Sequence, residues 1–135
     1  MTAKASVLIV DDEKFIRDIL SRIVIREGYH TDTAEDGVEA FDKIRENEFH
    51  FVISDINMPN MDGLQLLKKI KEHDSGIQVL LITSKAGVHS AEDILRAGAD
   101  FFITKPFKNA EIAKTLDALY KKRIRPKKQA KPVAG

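Results

Sequence analysis

Cysteine is absent from this 135-residue chain, which excludes disulfides, thiolate metal sites and a cysteine nucleophile. Long apolar runs are also absent; none approaches the roughly 18 residues that a membrane span requires. The opening Met1-Thr2-Ala3-Lys4-Ala5-Ser6 has no apolar core and so does not read as a secretion signal, which makes the cytoplasm the expected compartment. Histidine is sparse. His30, His50, His73 and His89 are scattered without metal-ligand spacing and read as surface or packing residues. Acidic residues are missing altogether from 121–135, where seven bases stand (Lys121, Lys122, Arg123, Arg125, Lys127, Lys128, Lys131). Setting these apart from the 22 bases of the chain leaves 15 against 21 acids, so residues 1–120 carry about −6 beneath an overall charge of +1. An acidic body argues against nucleic-acid binding by the domain itself. The basic tail reads as a solvated arm, with a linker or a contact for an acidic partner as the other readings.

What is present is ordinary for a water-soluble domain: 43% hydrophobic and 32% charged residues, in a chain long enough to bury one core. The expected organisation is one domain over 1–122 and a basic, disordered tail over 123–135.

Within the domain, strand and helix signals alternate five times. Val7-Leu8-Ile9-Val10, Phe51-Val52-Ile53-Ser54, Gln78-Val79-Leu80-Leu81-Ile82-Thr83 and Phe101-Phe102-Ile103-Thr104 are short apolar runs ending in polar residues, the pattern of buried parallel strands. Residues 29–34 are a short, polar strand candidate suited to a sheet edge. Phe15, Ile16, Ile19, Leu20, Ile23 and Val24 recur at helical spacing up to Gly28. Asp36 caps a second helix expected to turn Val38, Phe41 and Ile44 inward, and Leu64, Leu67 and Ile70 mark a third. The fourth is weak, with Val88, Ala91, Ile94 and Leu95 as its apolar face and Gly98 as a left-handed cap. The fifth begins near Asn109 and buries Ile112, Ala113, Leu116 and Leu119. Alternation with short loops implies a doubly wound α/β fold, a parallel sheet with helices on both faces and right-handed crossovers.

In such a sheet, ligands bind beyond the carboxyl ends of the strands. Asp11-Asp12, Asp55, Thr83 and Lys105 all stand at those ends, so three carboxylates, a hydroxyl and one ammonium converge on one crevice. Three clustered carboxylates repel one another unless a cation holds them. Mg²⁺ suits them, taking hard oxygen ligands and using one or two carboxylates plus waters. One carboxylate is then to spare as a nucleophile for phosphoryl transfer. The plainer reading makes Asp11 and Asp12 caps of the first helix and Asp55 a turn residue. Five such residues at matching strand ends favour the joint site.

The motifs Val10-Asp11-Asp12, Ser54 to Gly63 (Ser-Asp-Ile-Asn-Met-Pro-Asn-Met-Asp-Gly), Ile82-Thr83-Ser84 and Thr104-Lys105-Pro106-Phe107 resemble those of receiver domains of bacterial two-component response regulators, in particular the single-domain chemotaxis type. The resemblance covers residues 6 to about 122. It implies a (βα)5 sandwich with strand order 2-1-3-4-5 and makes Asp55 the phosphoacceptor. It implies metal ligation by Asp11 (mainly through water), Asp12, Asp55 and the backbone carbonyl of Asn57, with Mg²⁺ as the ion and Mn²⁺ as a substitute. Thr83 and Ser84 would meet the phosphoryl group, Lys105 would pair with it, and Phe102 would be the switch aromatic, a ring in place of the equally common tyrosine. Lys105–Pro106 would be cis, and Lys85 would lie beside the site.

The function so implied is a signalling switch, not an enzyme in the ordinary sense. A histidine kinase or phosphotransfer protein donates to Asp55, and a downstream target protein reads the result. No membrane contact is expected, and the switch is a monomer or a phosphorylation-dependent dimer. One alternative is a Mg²⁺-dependent aspartate-nucleophile phosphatase. Such enzymes carry a second aspartate two residues after the nucleophile, where this chain has Asn57, and the substrate-capping insertion is also missing. Another is the receiver fragment of a larger DNA-binding regulator, though no output domain is expected in the few residues after the last helix.

Overall fold

The computed structural model describes residues 3–84 and 89–124. Five parallel strands, β1 (Ser6–Val10), β2 (His30–Ala34), β3 (Phe51–Asp55), β4 (Gln78–Ser84) and β5 (Phe101–Lys105), form one sheet in the order β2-β1-β3-β4-β5. Between them run α1 (Lys14–Arg26), α2 (Gly37–Glu46), α3 (Gly63–His73) and α4 (Ala91–Arg96), and α5 (Asn109–Ile124) follows β5. The strand order and the doubly wound architecture are those expected. α5 runs on past residue 122 to Ile124.

The central strands are apolar through their middles, with polar residues at their ends, because both of their faces are covered. Odd and even positions go to different cores. Val7, Ile9, Phe51, Ile53, Leu80, Ile82 and Ile103 pack with α1 and α5, through Leu20, Ile23, Val24, Ile112, Leu116 and Leu119. Leu8, Val10, Val52, Val79 and Leu81 pack on the other face with Ala40 and Ile44 of α2, Leu66, Leu67 and Ile70 of α3, and Ile94 of α4. Burying each such aliphatic side chain is worth about 1.5–3 kcal/mol, so a one-residue slip of any central strand is heavily disfavoured. β2 pairs with β1 alone, and Thr31, Asp32 and Thr33 stay half-buried, as suits a polar edge.

The helix ends follow local chemistry. The Asp36 carboxylate caps α2 by accepting from the Glu39 amide at 2.8 Å. Asp62 and Gln65 form a reciprocal capping box on α3. Glycine in the left-handed region, φ +97° at Gly28 and +109° at Gly98, closes α1 and α4. α1 has Glu13 at its N-cap position, so neither Asp11 nor Asp12 fills the capping role of the plainer reading.

Three helix faces differ from expectation. Phe15 is 73% exposed, because it projects at the first turn of α1 where the sheet no longer lies beneath the helix. On α2 it is Ala40, not the exposed Val38, that meets the core alongside Ile44, while Phe41 packs at its margin. α4 is six residues long and buries only Ile94; Ala91 and Leu95 are exposed. The expectations for Lys85, Val88 and the tail over 125–135 lie outside the described residues.

Candidate functional site

Parallel pairing with Val10 opposite Ser54, Asp55 opposite Ile82 and Ser84 opposite Lys105 brings the carboxyl ends of β1, β3, β4 and β5 to one edge of the sheet. The register therefore fixes which side chains meet. One oxygen from each of Asp11, Asp12 and Asp55 lies within 4.8 Å of the others. Among the described residues, this is where three or more metal-ligating carboxylates or histidines cluster. Asp11 is fully buried, Asp55 is 6% exposed, and Asp12 faces solvent.

Lys105 reaches across β4 to the same point. Its Nζ stands 3.3 Å from Asp55 Oδ2, an ion pair between the ends of β3 and β5. The peptide bond to Pro106 is cis, as expected. Thr83, at the end of β4, is also buried, and its hydroxyl donates to the Ser84 carbonyl at 3.3 Å, a long local bond. Ser84 is half-buried beside it. Phe102 is half-buried against the α2–α3–α4 core, its ring stacked on that of Phe101 with centroids 6.3 Å apart. Asn57 is exposed on the loop that leaves Asp55.

Burial and mutual repulsion act on the acids. Desolvation lifts the Asp11 carboxyl to about 6, against the opposing Glu13 amide bond, with the nearby Asp55 charge adding to the rise. Desolvation also raises Asp55, opposed first by Lys105 and then by the Asn57 and Ile56 amides. Asp11 Oδ1 accepts from the Glu13 amide at 2.9 Å, while its buried Oδ2 has no hydrogen-bond partner. A buried carboxylate oxygen without a donor, among three carboxylates and a single ammonium, lacks positive charge. The residues present thus fit a hard divalent cation.

Several contributors carry no chemical label of their own. The Arg17 guanidinium donates to the Asp11 carbonyl at 2.8 Å and holds the start of the site from α1. Gly63 opens α3 directly against the β3 terminus: a Cβ there would lie 2.4 Å from the Asp55 carbonyl oxygen and 2.7 Å from Ile56 Cα. Lys71 joins Asp100 at 3.0 Å, and the same Asp100 oxygen accepts from the Val79 amide at 2.7 Å, tying α3 to β4 and to the entry of β5. The turn-rich motif Asn-Met-Asp-Gly signalled Gly63 as a turn residue; nothing in the linear pattern signalled Arg17 or Lys71.

Comparison with known proteins gives a consistent result. A family model described as response regulator receiver domain matches residues 7–117. The chemotaxis protein CheY of Halobacterium salinarum is 39% identical over 106 residues, which span 78% of this chain and 88% of that protein. The response regulator MprA of a Mycobacterium species is 34% identical over 116 residues, 86% of this chain but only 50% of that one, so the chain spans about half of MprA. The crystal structure of a CheY-like response regulator receiver domain protein from Methanospirillum hungatei superposes with a TM-score of 0.83 at 29% identity, covering 88% of this chain and 95% of the other.

Proposed function

The chain belongs to the response regulator receiver family of two-component signalling, and on that premise we propose that Asp55 is its phosphoacceptor, taking a phosphoryl group from a histidine kinase or phosphotransfer protein. Receiver domains are phosphorylation-controlled signalling switches, and they bind Mg²⁺ at an acidic pocket. The observation that carries the residue assignment is the ion pair of buried Asp55, a member of the three-carboxylate cluster, with half-buried Lys105.

In the proposed reaction an Asp55 carboxylate oxygen attacks the phosphorus of a phosphohistidine. The P–N bond breaks, a P–O bond forms, and the donor imidazole leaves as its proton is restored. The product is a mixed anhydride at Asp55. Asp11, Asp12, Asp55 and the Asn57 carbonyl would hold Mg²⁺ (or Mn²⁺), which supplies charge neutralisation for the phosphoryl oxygens when bound. Lys105 moves its contact from the Asp55 carboxylate to a phosphoryl oxygen, so the ammonium is never left unpaired. The contribution of the protein is positioning and preorganised charge. Water attacking the same phosphorus later releases inorganic phosphate and restores the carboxylate.

Thr83 and Ser84 end β4, the strand paired with the β3 terminus that bears Asp55, and in this reading a phosphoryl group on Asp55 offers them new acceptors. The Thr83 hydroxyl gives up only a 3.3 Å local bond to reach them. Its movement frees space for the Phe102 ring beneath α4, whose single buried side chain, Ile94, makes it the least anchored helix among the described elements. The output surface is then α4, β5 and α5, read by a downstream target protein in the cytoplasm, without nucleic-acid contact by the receiver itself. The functional unit in this reading is the receiver domain, with residues beyond about 124 dispensable for phosphorylation.

Incubation with a phosphorylated histidine kinase or phosphotransfer protein and Mg²⁺ tests the reading. The expected result is stoichiometric, Mg²⁺-dependent labelling. Multiple turnover of small phosphate esters without a stable labelled protein would instead establish the phosphatase alternative.

A further inference from the structure

The loop from Ile56 to Asp62 carries Asn57 and has to hold its shape at the mouth of the site. Its root is pinned by backbone bonds: the Ile56 amide donates to Ile82 at 3.0 Å, and the Gly63 amide to Ile56 at 2.7 Å. Its tip is held from outside, by the N-terminus of α2. The Asn60 side-chain amide donates to Asp36 Oδ2 at 2.9 Å. Asp36 Oδ1 is engaged by the Glu39 amide, so one carboxylate caps the helix with one oxygen and grips the loop with the other. Both bonds hold the Asp36 carboxyl below its usual range, the Glu39 amide more than Asn60. Next to this polar contact, Met61 lies so close over Gly37 that a Cβ at Gly37 would fall 2.8 Å from both Met61 Cβ and its carbonyl oxygen.

Asn60 itself sits at φ +70°, the left-handed region that most side chains disfavour and asparagine tolerates. Such a conformation persists where the surroundings over-determine it. Here the surroundings are Asp36 and the Met61–Gly37 contact. The turn before α2 is also joined to the site from its other end, since the Asp11 amide donates to the Ala34 carbonyl at 3.2 Å. The segment from the end of β2 to the N-terminus of α2 thus touches both segments that flank the acidic cluster.

We infer that Asp36 is a positioning residue for the phosphoacceptor site, acting through Asn60 to hold the loop that presents Asn57, an inference that rests on the reading of the site given above. Asp36 touches no reacting atom. It limits the freedom of a ligand-bearing loop, as outer partners of metal ligands do. Its loss weakens cation binding, and through that the phosphorylation rate at limiting Mg²⁺, without altering the rate when Mg²⁺ is saturating.

Two substitutions separate this from a merely structural role. Asp36→Ser keeps an oxygen to cap α2 but has none to spare for Asn60. Asn60→Gly keeps the positive φ and removes the side chain. Mg²⁺ is titrated into the full chain and read through backbone amide NMR shifts, with Asp55→Asn as control. Labelling by a small acyl phosphate is followed at low and at saturating Mg²⁺, and metal-free melting is recorded. Each single variant is expected to weaken Mg²⁺ binding about tenfold, at the low end for outer partners of metal ligands. The double variant should be no weaker than either single, since both remove one interaction. Labelling should recover to the wild-type rate at saturating Mg²⁺. Unchanged Mg²⁺ affinity with lowered melting would overturn the inference and leave Asp36 a helix cap. Fully additive losses would overturn it too. Wild-type protein with no saturable Mg²⁺ response, or with the same response in Asp55→Asn, would overturn the reading of the site itself and the inference with it.

Discussion

Gly63→Ala is the most economical test of how the fold builds the site. The added methyl would sit 2.4 Å from the Asp55 carbonyl oxygen, 2.7 Å from Ile56 Cα and 3.1 Å from the Asp55 carbonyl carbon. All three are backbone atoms of the strand end that bears Asp55, so no rotamer change relieves the overlap. Either α3 backs away from the sheet or the β3 terminus moves. Overpacking of this kind costs typically 1–3 kcal/mol, and a backbone neighbour places it at about the upper end. Alanine recovers at most about 1 kcal/mol through helix propensity and a less flexible unfolded chain. The net destabilisation is about 2 kcal/mol, which for a domain of this size lowers the melting temperature by roughly 8 °C. Gly76→Ala is the internal control. Its methyl would meet only Asp74 Oδ1, a side-chain terminus 3.2 Å away, and the change should stay within about 0.5 kcal/mol. Thermal and urea melts followed by circular dichroism measure both. A Gly63→Ala protein as stable as the Gly76→Ala protein would refute the close approach of α3 to Asp55.

The raised Asp11 carboxyl has a signed consequence. Its proton is held to about 6 in the folded chain against an ordinary 3.8, so its stabilising contribution is full below about 3.8 and is lost as pH rises through about 6. The shift corresponds to about 3 kcal/mol at most. Asp11→Asn should therefore stabilise the metal-free protein at pH 7, and the gain should vanish as pH falls towards 4; a gain independent of pH would contradict the desolvation argument. Lys105→Arg should slow acyl phosphate labelling, because a planar fork does not replace a point ammonium 3.3 Å from Asp55; labelling at the wild-type rate would count against the paired role. Thr83→Ala should be phosphorylated normally and lose the phosphorylation-dependent amide shifts of α4 and Phe102. Its stability should change by less than about 1 kcal/mol, since the hydroxyl makes only a long local bond. Full retention of those shifts would remove Thr83 from the relay.

How much of this was legible in the chain depended on whether the determining contacts are local. The four apolar strands and the polar β2 could be read because burial on two faces, or pairing on one side only, leaves a mark in composition. Asp11, Asp12, Asp55, Thr83 and Lys105 could be read because each follows an apolar run, and parallel pairing carries all such ends to one edge. Helix faces were less legible. Hydrophobicity marked Phe15 and Val38 as core, but both project where the sheet gives no cover, while small Ala40 takes the buried place on α2. The grip of Asp36 on Asn60 and of Arg17 on the Asp11 carbonyl spans segments that only the tertiary fold brings together, and polar residues of these types occur at many surface positions. Gly63 was visible as a turn residue; its second task, admitting α3 against the Asp55 carbonyl, needed the packed structure.

The central claim is that Asp55 carries the phosphoryl group. After exposure to a small acyl phosphate with Mg²⁺, borohydride reduction of the acyl phosphate followed by tandem mass spectrometry should place the single modification on Asp55, and Asp55→Asn should remain unmodified. Modification at Asp11, Asp12 or a histidine, or undiminished labelling of Asp55→Asn, would contradict the account.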